Sequence, residues 1–289
     1  MDAVTRIERT LSASLDRVDS HGAPPLLAAA MRHAVFPRGA RIRPRLCLAV
    51  AAVCGEDDPA AAESAAAAIE FMHCASLAHD DLPCFDNADT RRGRPSVHRA
   101  FGEPLAVLAG DALIVLSFQT IAWGAASCPD RLATLILTLA AATGLPSGIA
   151  AGQAWECEPT IDLSQYQRAK TGALFAAATV AGAAAAGVDS APWRTLGESL
   201  GEAYQVADDI ADLLCGQTDL GKPTRQDSAL GRPNAALAMG IDEAMRHLDR
   251  LAAAAADSIP DCPGSAGMKA LTLSEARRLL PKDLSQRAA

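Results

Sequence analysis

The sequence is short of aromatic rings: only 4% of its 289 residues are Phe, Trp or Tyr, although half are hydrophobic. Nor does any alternation of apolar and polar residues persist beyond a few positions, so an all-β sandwich or barrel is not expected. None of the eight cysteines stands in a CxxC pair, which argues against a zinc ribbon or a dithiol redox site. The thiols read instead as small buried groups in a reducing compartment. Positive charge is in deficit, with 26 Lys and Arg against 34 Asp and Glu and a net charge of −8. Nucleic acid and anionic membrane surfaces are therefore poor partners. The N-terminal MDAVTRIERTLSASLDRVDS lacks the apolar core of a signal peptide, and a cytoplasmic location is expected. No repeat, low-complexity linker or charge run divides the chain.

What fills the space left by the aromatics is alanine, 64 residues of it. Alanine is the best helix former and a poor strand former. The coarse pattern predicts helices near 2–20, 24–35, 43–54, 58–80, 104–126, 129–143, 146–157, 162–186, 192–214, 233–255 and 264–280, broken at Gly/Pro clusters. Residues 132–155 and 171–188 carry no charge. They are rich in Ala, Gly and Thr rather than strongly apolar side chains, so they read as buried core helices and not as membrane spans. The expected fold is all-α, with residues 1–289 forming one domain around one core.

The chemistry concentrates in two acidic segments. In His73–Gly93, HCASLAHDDLPCFDNADTRRG, four aspartates (Asp80, Asp81, Asp86, Asp89) precede Arg91 and Arg92. In Tyr204–Asp212, YQVADDIAD, Asp208 and Asp212 share a helix face with Gln205 one turn before, and Asp209 points roughly 100° away. Two bare carboxylates about 4 Å apart repel by about 4 kcal/mol at an effective dielectric of 20. A hard cation removes that cost, and Mg²⁺ takes such oxygen ligands while keeping room for water or phosphate. Two acidic clusters beside apolar helix suggest facing walls of one cavity bridged by metal and a polyphosphate, with guanidinium groups as further phosphate ligands. A solvated acidic helix end explains either cluster alone but not both together with the arginines.

These motifs resemble the trans-polyprenyl diphosphate synthases. The likeness rests on Asp80-Asp81-x4-Asp86, Arg91-Arg92-Gly93, Lys170-Thr171-Gly172 and Gln205-x2-Asp208-Asp209-x2-Asp212, and runs from Gly39–Pro44 to Leu220-Gly221-Lys222. Within that family the chain looks most like the geranylgeranyl diphosphate synthases of photosynthetic bacteria. The resemblance implies the isoprenoid synthase fold and about three Mg²⁺ ions. It implies metal ligation by Asp80, Asp86, Asp208 and Asp212, and contacts to the allylic diphosphate from Arg91, Lys170 and Lys222. It assigns isopentenyl diphosphate to Arg43, His73 and Arg92, and puts Lys170, Thr171 and Gln205 beside the developing allylic cation. The allylic partners would be dimethylallyl, geranyl and farnesyl diphosphate. There are departures. Ala40 stands where many relatives have Lys, leaving Arg38, Arg41 or Arg45 to compensate; Asn87 replaces a common acidic residue; Glu156 replaces a common Asp. His79 reads as structural.

Product length follows from helix arithmetic. In the family a bulky aromatic four or five residues before the first aspartate stops growth near C15. Here those positions are Ser76 and Ala75, both small. The next side chain facing the same way is Met72, about one turn or ~5.4 Å deeper, a floor consistent with C20. Such a product would serve carotenoid or bacteriochlorophyll synthesis. The competing readings are a farnesyl diphosphate synthase, a class I terpene cyclase and a non-catalytic regulatory subunit. The cyclase would lack the second diphosphate site, and the subunit would have lost aspartates from one motif. The apolar Glu103–Val115 segment is the candidate homodimer surface.

Overall fold

The computed structural model describes residues 1–36, 39–214 and 235–278. Helices α1 (Ala3–Val18), α2 (Pro25–Val35) and α3 (Ile42–Val53) lead to α4 (Pro59–Asp80). Helix α4 begins at Asp58, whose carboxylate accepts from the Ala60 and Ala61 amides at 3.1 and 3.2 Å, with Pro59 in the first turn. It is apolar on every side, and fifteen of its 22 residues are buried, as a central helix requires. Helix α1 shows the opposite pattern, burying only Ile7, Leu11, Ser14 and Leu15 along one stripe.

Beyond α4 come a two-stranded hairpin, β1 (Thr90–Arg91) and β2 (Arg94–Pro95), and the short α5 (Val97–Phe101). Then follow α6 (Glu103–Gly124), α7 (Pro129–Thr143), α8 (Ile149–Ala154), a 3₁₀ turn (Trp155–Cys157) and α9 (Leu163–Gln167). A π-helical turn, Arg168–Gly172, joins α9 to α10 (Ala173–Ala185). A 3₁₀ turn at Ala191–Trp193 leads into α11 (Arg194–Leu214); α12 (Ala235–Met239), α13 (Ile241–Asp257) and α14 (Ser265–Arg278) complete the described chain.

Small residues let these helices approach closely. A Cβ on Gly182 of α10 would lie 2.4 Å from the Cys47 carbonyl oxygen of α3, and one on Gly124 of α6 would lie 2.2 Å from Ser64 of α4. The main core joins α1, α2, α4, α6, α7 and α10. A second cluster, including Phe175, Trp193, Leu196, Ile259 and Met268, ties α11 to the C-terminal helices.

The expected helices 146–157, 162–186 and 233–255 are each interrupted, at the Trp155 turn, the Arg168 π-turn and Gly240. Alanine-rich sequence carries no local signal for the first two breaks, which are tertiary adjustments. Gly240 has a φ of 82°, where glycine alone is unstrained. The hairpin was also unforeseen. Its two turn residues, Arg92 and Gly93, have φ values of 54° and 72°, as a tight hairpin turn demands. Glycine in Arg91-Arg92-Gly93 thus aims the two arginines.

One helix among the described residues, Glu103–Gly124, is long and apolar enough to cross a membrane by length and composition. It is neither of the uncharged stretches singled out from sequence. Leu113, Leu116, Ser117 and Ile121 bury one face of it, and it packs along α4.

Candidate active site

The first acidic wall is the end of α4. Asp80 is its last residue and Asp81 its cap, where the helix dipole disfavours negative charge. The chain then folds back. The Asp86 amide donates to the Asp80 carbonyl at 2.9 Å, the Ala88 amide to Asp81 at 3.1 Å, and Asn87 adopts a φ of 46°. Asn tolerates that left-handed geometry better than most residues, which gives Asn87 a local reason. The fold-back brings Asp80 and Asp86 together with Glu156 from the 3₁₀ turn after α8, with one oxygen of each within 4.8 Å of the others.

Asp81 takes no part in this trio. It is buried and paired with Arg91, whose Nε donates to both carboxylate oxygens at 3.0 and 3.3 Å. Burial pushes the Asp81 carboxyl above its usual range, against the opposing pull of Arg91. Arg91, expected on a diphosphate, is thus held at the rim by Asp81.

Lys170 faces the trio from the π-turn. Its Nζ hydrogen-bonds Glu156 and lies 3.4 Å from Asp80. Gln153 of α8 approaches the same carboxylate, with Nε2 3.3 Å from Asp80 Oδ1 and 3.4 Å from the Ser76 carbonyl. The next residue, Thr171, turns to the other wall. Its hydroxyl donates to Gln205 Oε1 at 2.7 Å, and Gln205 Nε2 donates to Asp209 at 2.9 Å. This chain fixes the Gln205 amide and leaves lone pairs on Thr171 Oγ1. Gln205 is thus tied to Asp209, four residues on, an i,i+4 pair beside Asp208 and Asp212. Asp209 and Asp212 are buried and Asp208 is half-buried. Neither Asp208 nor Asp212 belongs to the close trio. The two walls are joined through adjacent residues, Lys170 and Thr171.

The trio fits Mg²⁺ on donor chemistry: three carboxylates, hard oxygen donors only, converge from two separate elements. Left uncompensated at such spacing they would repel strongly.

A second, cationic pocket lies about two turns up α4, at His73. Arg43 is buried, its Nε has no hydrogen-bond partner among the described residues, and its guanidinium lies 4.5 Å from the Phe175 ring centroid and 5.5 Å from that of Tyr204. Burial lowers its pKa. His73 is held well below the usual histidine range, first by burial, then by Arg43, Arg92, Arg91 and Arg41. Glu70 answers Arg41 and Arg92, and Asp81 answers Arg91, so the buried Arg43 guanidinium, with its unpartnered Nε, is the cation here that an anion could engage. Arg92 is fixed by the Val35 carbonyl at 3.5 Å, by Cys74 and by Glu70 at 3.6 Å. Gly39 keeps this place open, since a Cβ there would meet Arg92 Nε at 2.8 Å.

Two of the three cations considered as substitutes for the lysine absent at Ala40 are already engaged. Arg41 is buried between Glu8 at 2.9 Å and Glu70 at 2.5 Å, and Arg45 pairs with Glu275 at 3.0 Å. Arg38 and Lys222 lie outside the described residues. Ala75 and Met72 are fully buried, and Ser76 is half-buried with its hydroxyl on the His73 carbonyl. His79 Nε2 lies 3.1 Å from the Val107 carbonyl of α6, against Gly110.

Sequence reasoning missed Glu70, Gln153 and Tyr166, and treated Glu156 only as a departure. For Glu70 the available signal is a lone acidic residue within the long apolar α4; the short segments that carry Gln153, Glu156 and Tyr166 offer none.

A family model described as polyprenyl synthetase matches residues 24–261. The chain is 51% identical over 282 residues to the geranylgeranyl diphosphate synthase of Cereibacter sphaeroides, covering 98% of each. It is 51% identical over 275 residues to that of Rhodobacter capsulatus, covering 95% of each. Among solved structures, the geranyltransferase of Helicobacter pylori complexed with magnesium and isoprenyl diphosphate has a TM-score of 0.80 at 29% identity, covering 94% of this chain and 96% of that one.

Proposed function

The chain belongs to the polyprenyl synthetase family, and from that premise we propose that it is a Mg²⁺-dependent prenyltransferase that condenses isopentenyl diphosphate with allylic diphosphates to make geranylgeranyl diphosphate. The observation that carries this is the pairing of an acidic wall and a separate cationic pocket on one helix. Asp80 stands at the end of α4 and His73 seven residues earlier on the same face. One accommodates a diphosphate through metal, the other a diphosphate through cations. That is the demand of a reaction with two diphosphate substrates.

Asp80 and Asp86, with Glu156, would hold metal for the allylic diphosphate, and Asp208 and Asp212 would serve a further ion. When bound, Mg²⁺ supplies the positive charge that neutralises the leaving diphosphate. Lys170 adds a fixed cation on the same side. Arg91 reaches the allylic diphosphate by leaving Asp81, and Lys222 joins it. Thr171 Oγ1 and the Gln205 amide present oxygen dipoles to the allylic carbon as positive charge develops, pre-aligned by their own hydrogen bond. Arg43, His73 and Arg92 orient isopentenyl diphosphate so that its double bond meets that carbon. The apolar walls of α4 and α10 keep water from the cation. His73, held neutral first by burial and then by its cationic neighbours, donates a hydrogen bond to phosphate and is not the base; the departing diphosphate accepts the final proton.

The identity to two geranylgeranyl diphosphate synthases and the small residues at Ala75 and Ser76 support C20 over C15. The cytoplasm, a homodimer and a place in carotenoid or bacteriochlorophyll supply complete the reading. Purified protein incubated with Mg²⁺, farnesyl diphosphate and labelled isopentenyl diphosphate should yield a C20 diphosphate. No extension would favour a regulatory subunit, and accumulation of C15 from geranyl diphosphate a farnesyl synthase.

A further inference from the structure

Glu156 is one methylene longer than the aspartate common at its position, so its carboxylate reaches further and has one more bond to rotate about. Its surroundings remove that freedom. The Tyr166 hydroxyl donates to Glu156 Oε1 at 2.8 Å, and Lys170 Nζ bonds the same oxygen. Tyr166 and Lys170 are four apart, across the junction of α9 and the π-turn, and Lys170 Nζ lies 5.8 Å from the Tyr166 ring centroid. Tyr166 is buried, so its ring cannot swing to solvent without unpacking. Two donors from one helical face therefore grip a carboxylate arriving from another element.

We propose that Tyr166 is a positioning residue that holds the Glu156 carboxylate toward Asp80 and Asp86, and so sets both the metal-binding geometry of the trio and the place of Lys170. The inference rests on the prenyltransferase reading. Without the hydroxyl, Glu156 loses a buried donor and leans more on Lys170. The carboxylate is then drawn with the ammonium, which must move when it engages a diphosphate. With the hydroxyl, Glu156 stays on the metal side while Lys170 turns. A hydrogen bond to a charged group is the stronger kind, so its loss should be measurable.

The test is Tyr166→Phe, which deletes one oxygen and keeps the ring. Mn²⁺ binding is read by electron paramagnetic resonance in the presence of inorganic pyrophosphate, without turnover. Affinity should fall roughly tenfold, and the Mg²⁺ concentration for half-maximal activity should rise by a similar factor. The KM for isopentenyl diphosphate, whose proposed contacts Arg43, His73 and Arg92 do not include Tyr166, should stay within twofold of the parent. In a Glu156→Asp background, whose carboxylate is one methylene shorter and draws back from the hydroxyl, the same change should have less than a twofold effect. Unchanged Mn²⁺ affinity in Tyr166→Phe would overturn the proposal. So would parallel losses for isopentenyl diphosphate and metal, which general loosening produces. A parent protein that binds Mn²⁺ with pyrophosphate but transfers no prenyl group would instead refute the activity, and the metal arm would still judge Tyr166.

Discussion

Ala75 has no exposed surface, and five residues separate it from Asp80. A phenyl ring in its place must either displace its neighbours, at a cost of about 1–3 kcal/mol, or project into the space beside the acidic wall. Ala75→Phe should therefore shift the product from C20 toward C15, and chromatographic sizing of dephosphorylated products checks it. An unchanged profile would remove Ala75 from the tunnel floor. His73 makes a different prediction. Its folded pKa is depressed, so the folded protein keeps it neutral, whereas the unfolded chain protonates it near the ordinary value of about 6.5. Its contribution to stability is complete above that pH and is lost as pH falls below it, because the unfolded state then binds the extra proton. Thermal unfolding between pH 7.5 and 5.5 should show a shallower decline in His73→Gln than in the parent. Parallel curves would mean that His73 does not feel the arginines around it.

At the scale of elements, the contact between α8 and the π-turn matters most. A Cβ on Gly152 would lie 2.3 Å from the Lys170 amide nitrogen and 2.5 Å from its Cα. Backbone cannot step aside as a side-chain tip can. Gly152→Ala should thus pry α8 from the π-turn and move Gln153, Lys170 and Thr171 together. About 1–3 kcal/mol of stability and on the order of 100-fold in kcat should be lost, a misplacement effect of the expected size. Calorimetry and steady-state kinetics measure the two. A folded variant with full kcat would show that the π-turn does not set the site. The π-turn itself was invisible in RAKTG because it is a response to packing. Helices α4 and α11 were legible because apolar periodicity and capping are local properties.

At the scale of the whole molecule, α6 and α7 leave large apolar side chains uncovered. Val107, Leu108 and Val115 on α6 are 41%, 50% and 56% exposed, and Leu137 of α7 is 67% exposed. With the length and hydropathy of α6, that surface supports the proposed homodimer. Light scattering should give twice the 29.9 kDa chain mass, and Val115→Glu should shift the population toward 29.9 kDa by placing a charge in the apolar contact. A parent protein that is monomeric at micromolar concentration would exclude the dimer.

The sequence by itself determined the helical class, the extents of α4 and α6, the two aspartate motifs and the small residues before the first of them. Each is a matter of residue type and spacing within a few turns, which composition and periodicity report directly. Only the tertiary structure decided which charges answer one another. It gave Asp81 to Arg91 and left Asp80 with Asp86 and Glu156. It consumed Arg41 on Glu8 and Glu70 and so removed it as a replacement for the lysine absent at Ala40. Those partners lie up to seventy-six residues apart, as Asp80 and Glu156 do. Nothing in local propensity encodes such pairings; they arise where packed helices bring carboxylates and guanidinium groups into one dry space and electrostatics must be satisfied there.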